Sequence, residues 1–111
     1  MIRSTVWRDK QGRIRRFHVT GHAEAAEYGE DIICAAVSVL VTNAINSSEK
    51  LLGVHIADDP DIAPGDVKVD IPTLPSLLDE KLQLLFEAMV YGIQQVAESY
   101  PDFVRIFAKP L

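Results

Sequence analysis

Residues 76–100, SLLDEKLQLLFEAMVYGIQQVAESY, set Leu78, Leu82, Leu85, Met89, Ile93, Val96 and Tyr100 three or four positions apart. That spacing returns to one face of a 3.6-residue repeat, so the stretch predicts an amphipathic helix that must bury its stripe against something. Ser76 and Asp79 have the spacing of a capping box, and Pro101 ends the helix. Downstream, Phe103 to Ala108 reads as a strand. Upstream, Val54 to Ala57 and Val67 to Ile71 read as short strands, with turn chemistry between them in Asp58-Asp59-Pro60-Asp61 and Pro64-Gly65-Asp66.

Further upstream, Val37, Leu40, Val41, Ala44, Ile45, Leu51 and Leu52 form a second helical stripe within residues 32–52. Asp31 is the expected N-cap of that helix and Gly53 its C′ residue. The chain opens with a hairpin, Ile2 to Arg8 and Arg13 to Thr20 as strands around Asp9-Lys10-Gln11-Gly12. Between hairpin and helix, Thr20 to Asp31 is expected to be a mobile loop bracketed by Gly21 and Gly29. The order ββαββαβ predicts an α/β (α+β) fold, a single sheet of about five strands with two amphipathic helices packed on one face. The other sheet face is left for solvent or a partner, which is the ground for expecting a homodimer.

The 111 residues are enough for one modest core, so the whole of 1–111 is read as a single domain. A net charge of −5 excludes a domain whose entire surface binds nucleic acid, and direct nucleic-acid contact is not expected. Even so, Arg3, Arg8, Lys10, Arg13, Arg15 and Arg16 crowd the hairpin. Two readings of them stay open, a solvated hairpin, which is the commoner case, and contact with the ribosome or another acidic partner. A single cysteine excludes an internal disulfide and points to a reducing compartment, and the apolar run Ile32 to Val41 falls short of the ~20 residues that cross a bilayer. A cytoplasmic protein without a targeting segment is expected.

With Asp31 as N-cap, Cys34 falls at N3, in the first turn of a helix. There the positive end of the helix dipole and unpaired N–H groups favour thiolate over thiol, whereas a purely structural cysteine gains nothing from the position. Taken alone the residue is as readily a core filler, since cysteine is among the most buried residue types. His22, at the end of the second strand, is placed to meet the helix start and to serve as base and then acid. Asp31 either orients that histidine or caps the helix; one carboxylate does not readily do both. Ser38, one turn beyond Cys34, either lines the site or bonds back to a helix carbonyl, the second being commoner. His18 and His22 have H-x-x-x-H spacing, but across a strand end rather than on a helix, so neither metal nor cofactor is expected. His18 is expected to be exposed, and His55 has no assigned part.

Gly21-His22-Ala23 followed by Tyr28-Gly29-Glu30-Asp31-Ile32-Ile33-Cys34-Ala35-Ala36-Val37-Ser38 resembles the ribosomal-processing cysteine protease family, Prp. The likeness extends over the whole chain, through the closing Tyr100-Pro101-Asp102-Phe103. It implies a homodimeric enzyme that removes an N-terminal extension from the large-subunit ribosomal protein numbered twenty-seven. It also implies His22 and Cys34 as the catalytic pair and Asp31 as a third motif residue. The substrate peptide is expected in an apolar groove near Cys34, closed by the loop from Gly21 through Tyr28 and Gly29, with Ser38 at its edge. Two rivals remain at this point: a non-catalytic ribosome-associated binding module and a thiol redox sensor.

Overall fold

The computed structural model describes residues 1–21, 28–56, 62–63 and 65–111, and of residues 28–31 and 62–63 the backbone only. The elements follow as β1 (Ile2–Arg8), β2 (Ile14–Thr20), α1 (Tyr28–Leu52), β3 (Ile62–Ala63), β4 (Asp66–Asp70), α2 (Ser76–Ser99) and β5 (Val104–Pro110). They build one mixed sheet in the order β3-β4-β2-β1-β5. β5 lies parallel to β1, and the other pairings are antiparallel. The ββαββαβ order and the two-layer fold are as expected, but β3 is only two residues long, so four strands carry the sheet.

The hairpin turn is held by the Gly12 N–H to the Asp9 carbonyl at 3.0 Å and by the Asp9 carboxylate, which accepts from the Gln11 and Arg13 N–H groups. One side of the sheet is apolar. Ile2 and Val6 of β1, Phe17 and Val19 of β2, Val69 of β4 and Val104 of β5 share a core with Ile33, Val37, Val41 and Ala44 of α1 and Leu82, Phe86, Met89 and Ile93 of α2. Phe17 and Phe86 meet at 5.4 Å between ring centroids, tilted by 33°. Residues Ile32–Leu52 are long and apolar enough to cross a membrane by length and composition. Their buried stripe is nonetheless continuous with the sheet's core, which is the behaviour of a core helix.

Three local expectations are corrected. Helix α1 begins at Tyr28, not after Asp31, so Asp31 lies inside its first turn and is not the N-cap. Val54 to Ile56 form no strand: the Gly53 N–H donates to Glu49 and the Val54 N–H to the Ser48 carbonyl, so this segment closes off the helix end instead. The expected turn at Asp58 to Asp61 lies outside the described residues. Finally, α2 has Pro75 as N-cap with no side-chain cap, and Asp79 is buried.

Asp79 instead receives Arg13 and Arg15 from the hairpin. Arg15 donates to both carboxylate oxygens at 3.2 Å, Arg13 donates to Oδ2, and the Leu74 N–H adds a contact at 3.3 Å. The hydrogen bond from Arg15 holds the Asp79 carboxyl below the ordinary carboxylate value, outweighing burial, which acts the other way. One turn on, the Gln83 side chain accepts from the Ile14 N–H and donates to the Ile14 carbonyl, both at 2.8 Å. A helix side chain thus pairs a strand residue beyond the end of β4, satisfying two buried backbone groups.

Candidate active site

β2 ends at Thr20, and Gly21 follows at φ +95°, a backbone conformation open to glycine. Its N–H donates to the Gly65 carbonyl at 3.0 Å, and a Cβ added there would lie 2.1 Å from the Met1 carbonyl oxygen. Position 21 therefore excludes a side chain, and the chain leaves the sheet on a path fixed by the first residue of β1's entry and the turn before β4. Gly65 is the partner that sequence reasoning did not single out; the Pro64-Gly65 turn was its only signal. His22 comes directly after this fixed point and lies outside the described residues, as does most of the expected lid between Gly21 and Gly29. Of Tyr28, Gly29, Glu30 and Asp31 the backbone is the first turn of α1.

Cys34 is the seventh residue of α1 counted from Tyr28, in the second turn rather than at N3. The unpaired N–H groups of a helix belong to its first four residues, and the dipole's effect fades within the first turn. The helix start therefore bears on position 34 less than its expected place implied. The Cys34 side chain is half-buried and packs against the core cluster, which fixes its position while leaving part of it accessible. Positions 31, 34 and 38 follow the i, i+3, i+7 spacing, so Asp31, Cys34 and Ser38 occupy one side of α1. Ser38 is exposed, and among the described residues its hydroxyl makes no bond back to a helix carbonyl. Ile32 and Val39, 58% and 66% exposed, lie on the outward side of α1, turned away from the side that carries Cys34.

The other two histidines are placed elsewhere. His18 is half-buried rather than exposed, on the sheet face turned away from the helices, with Nε2 at 2.5 Å from Asp66. His55 lies past the far end of α1 beside Glu49, about 27 Å from Cys34 by the helical rise between positions 34 and 52 alone.

A family model described as cysteine protease Prp matches residues 1–105. The chain belongs to the Prp cysteine protease family. Its Prp relatives include the ribosomal processing cysteine protease Prp of Bacillus subtilis, 33% identical over 107 residues and 96% of both chains. The Staphylococcus aureus protein of the same name is 28% identical over 108 residues, 96% of this chain and 97% of that one. Among solved structures, SMU.848 from Streptococcus mutans superposes with a TM-score of 0.84 at 39% identity, covering 100% of this chain and 96% of that one. The S. aureus Prp in complex with a substrate peptide shares the fold, with a TM-score of 0.80 at 23% identity over 98% and 100% of the two chains. As a Prp protein this chain is a cysteine protease, a peptide-bond hydrolase, and the non-catalytic reading is set aside.

Proposed function

We propose that this Prp protein removes the N-terminal extension of the large-subunit ribosomal protein numbered twenty-seven, with Cys34 as nucleophile and His22 as general base and acid. One observation carries the reading: a cysteine protease needs a thiol nucleophile, and Cys34 is the chain's single cysteine. His22 takes a proton from Cys34, the thiolate attacks the scissile carbonyl, His22 protonates the departing amine, and water then releases the acyl-enzyme. Support for His22 comes from the remote positions of His18 and His55. Support for Asp31 as the group that orients His22, rather than a cap, comes from its place inside α1 and on the same side as Cys34. The peptide runs in a groove near Cys34, with Gly21, Tyr28, Gly29 and Ser38 around it.

The proposal includes cytoplasmic location and a homodimer. The surface that supports a dimer is the outer side of the helices, where Leu77, Leu84 and Tyr91 recur every seven residues of α2, each more than 60% exposed. The sheet's open face, the dimer surface expected from the sequence, carries mostly positive charge and would repel its copy. The test is incubation with a peptide spanning the ribosomal protein's extension, read by mass spectrometry. Cleavage by wild type and none by Cys34→Ala is expected; equal cleavage by both would overturn the mechanism.

A further inference from the structure

We propose that the open face of the sheet is a docking surface for single-stranded RNA. The pairing register brings three rows of side chains to this face. Asp66, Thr20, Arg3 and Arg105 form the first, Lys68, His18, Thr5 and Phe107 the second, and Asp70, Arg16, Trp7 and Lys109 the third. Its two carboxylates are already taken, Asp66 by His18 and Asp70 by Arg16, each at 2.5 Å. Arg3, Lys68, Arg105 and Lys109 have no ion-pair partner among the described residues. Five lysines and arginines against two carboxylates give the face a surplus of positive charge on a chain whose net charge is −5, so the rest of the surface is the more acidic. Such segregation complements a polyanion.

Aromatic side chains choose between polyanions. Phe107 is 43% exposed in the middle row. The Trp7 ring has the Arg16 guanidinium 5.6 Å and the Lys109 ammonium 5.8 Å from its centroid, so the cations stand over an aromatic plane. An acidic polypeptide would use the charges only, whereas unpaired bases offer π-faces to Phe107 and to the Arg16 plane while phosphates meet the lysines and arginines. The expectation of no nucleic-acid contact rested on total charge, which does not report how charge is divided between faces. The inference is independent of which peptide the enzyme cleaves.

The experiment is fluorescence anisotropy of a fluorescein-labelled mixed-sequence RNA 12-mer titrated with the intact protein at several salt concentrations, with poly-glutamate as competitor. Four cations without an ion pair among the described residues predict a slope of log K on log salt near −3, from about −0.7 per phosphate neutralised. Lys68→Glu with Arg105→Glu should weaken binding at least tenfold, Lys68→Gln with Arg105→Gln several-fold, and Phe107→Ala about fivefold or more with the slope unchanged. Circular dichroism and peptide cleavage at wild-type levels would show these variants folded. No binding at 50 mM salt, indifference to all three variants, or displacement by poly-glutamate as readily as by unlabelled RNA would each overturn the proposal, the last in favour of an acidic protein partner.

Discussion

Replacing Asp79 by alanine removes the acceptor that joins α2 to the hairpin. The carboxylate is fully buried and accepts from Arg13, from Arg15 twice and from the Leu74 N–H. Arg15 is itself 9% exposed, so after the change it keeps Asp9 and the Pro72 carbonyl but loses its main counter-charge in a nearly dry setting. Stranding one member of a buried pair costs about 3–5 kcal/mol. The lower end applies here, because Arg13 is 37% exposed and recovers water. With unfolding entropy of about 2.1 cal/mol/K per residue, a loss of ~3 kcal/mol in a domain of this length lowers Tm by roughly 12 °C. The pH dependence gives a second reading. Asp79 has a folded pKa below the ordinary aspartate value of 3.8, so its contribution is present above that value and is lost as pH falls through the folded pKa. Wild type should therefore lose stability below about pH 4, and Asp79→Asn should flatten that acid limb while being less stable at pH 7. Thermal unfolding followed by circular dichroism at pH 7 gives the Tm, and urea unfolding at pH 7 and at about pH 3 gives the acid limb. A Tm for Asp79→Ala within 3 °C of wild type, or an unchanged acid limb in Asp79→Asn, would refute the reasoning. Asp79→Leu with Arg15→Met, an apolar pair in the same space, should recover most of the loss.

Gln83→Leu should cost about 3 kcal/mol by chemical denaturation, since it leaves the buried N–H and carbonyl of Ile14 without partners; a loss under 1 kcal/mol would contradict the pairing. Gly21→Ala forces a methyl against the Met1 carbonyl and displaces the attachment point of His22, so kcat/KM for the extension peptide should fall about 100-fold; full activity would separate Gly21 from the site. Cys34 should be alkylated by iodoacetamide at neutral pH and more slowly in His22→Ala, and equal rates would remove His22 as its base. Leu84→Asp with Tyr91→Asp should sediment as a monomer if the outer helix surface forms the dimer, and an unchanged dimer would place the interface elsewhere.

The chain's periodicities were sufficient for the architecture. The stripe from Leu78 to Val96 and the alternation in the hairpin each follow from local geometry, so element order and fold class were legible without a structure. The motif around Cys34 likewise identified the family, because it is a run of adjacent residues. What the sequence misplaced were partners. Asp79 has the spacing of a cap, yet two arginines more than sixty positions away claim it, and that competition exists only after α2 docks on the hairpin. Asp31 has the chemistry of an N-cap, yet the helix passes through it, which moves Cys34 beyond reach of the helix start. The six basic residues of the hairpin read as one patch, but alternation divides them. Arg8, Arg13 and Arg15 turn to Glu87 and Asp79 of α2, while Arg3 and Arg16 join Lys68, Arg105 and Lys109 on the open face. The sequence by itself determined the element order, the two helices and the family, since these depend on near neighbours and on residue type. Only the tertiary structure decided which charges meet, because pairing depends on distances set when strands distant in the chain lie side by side.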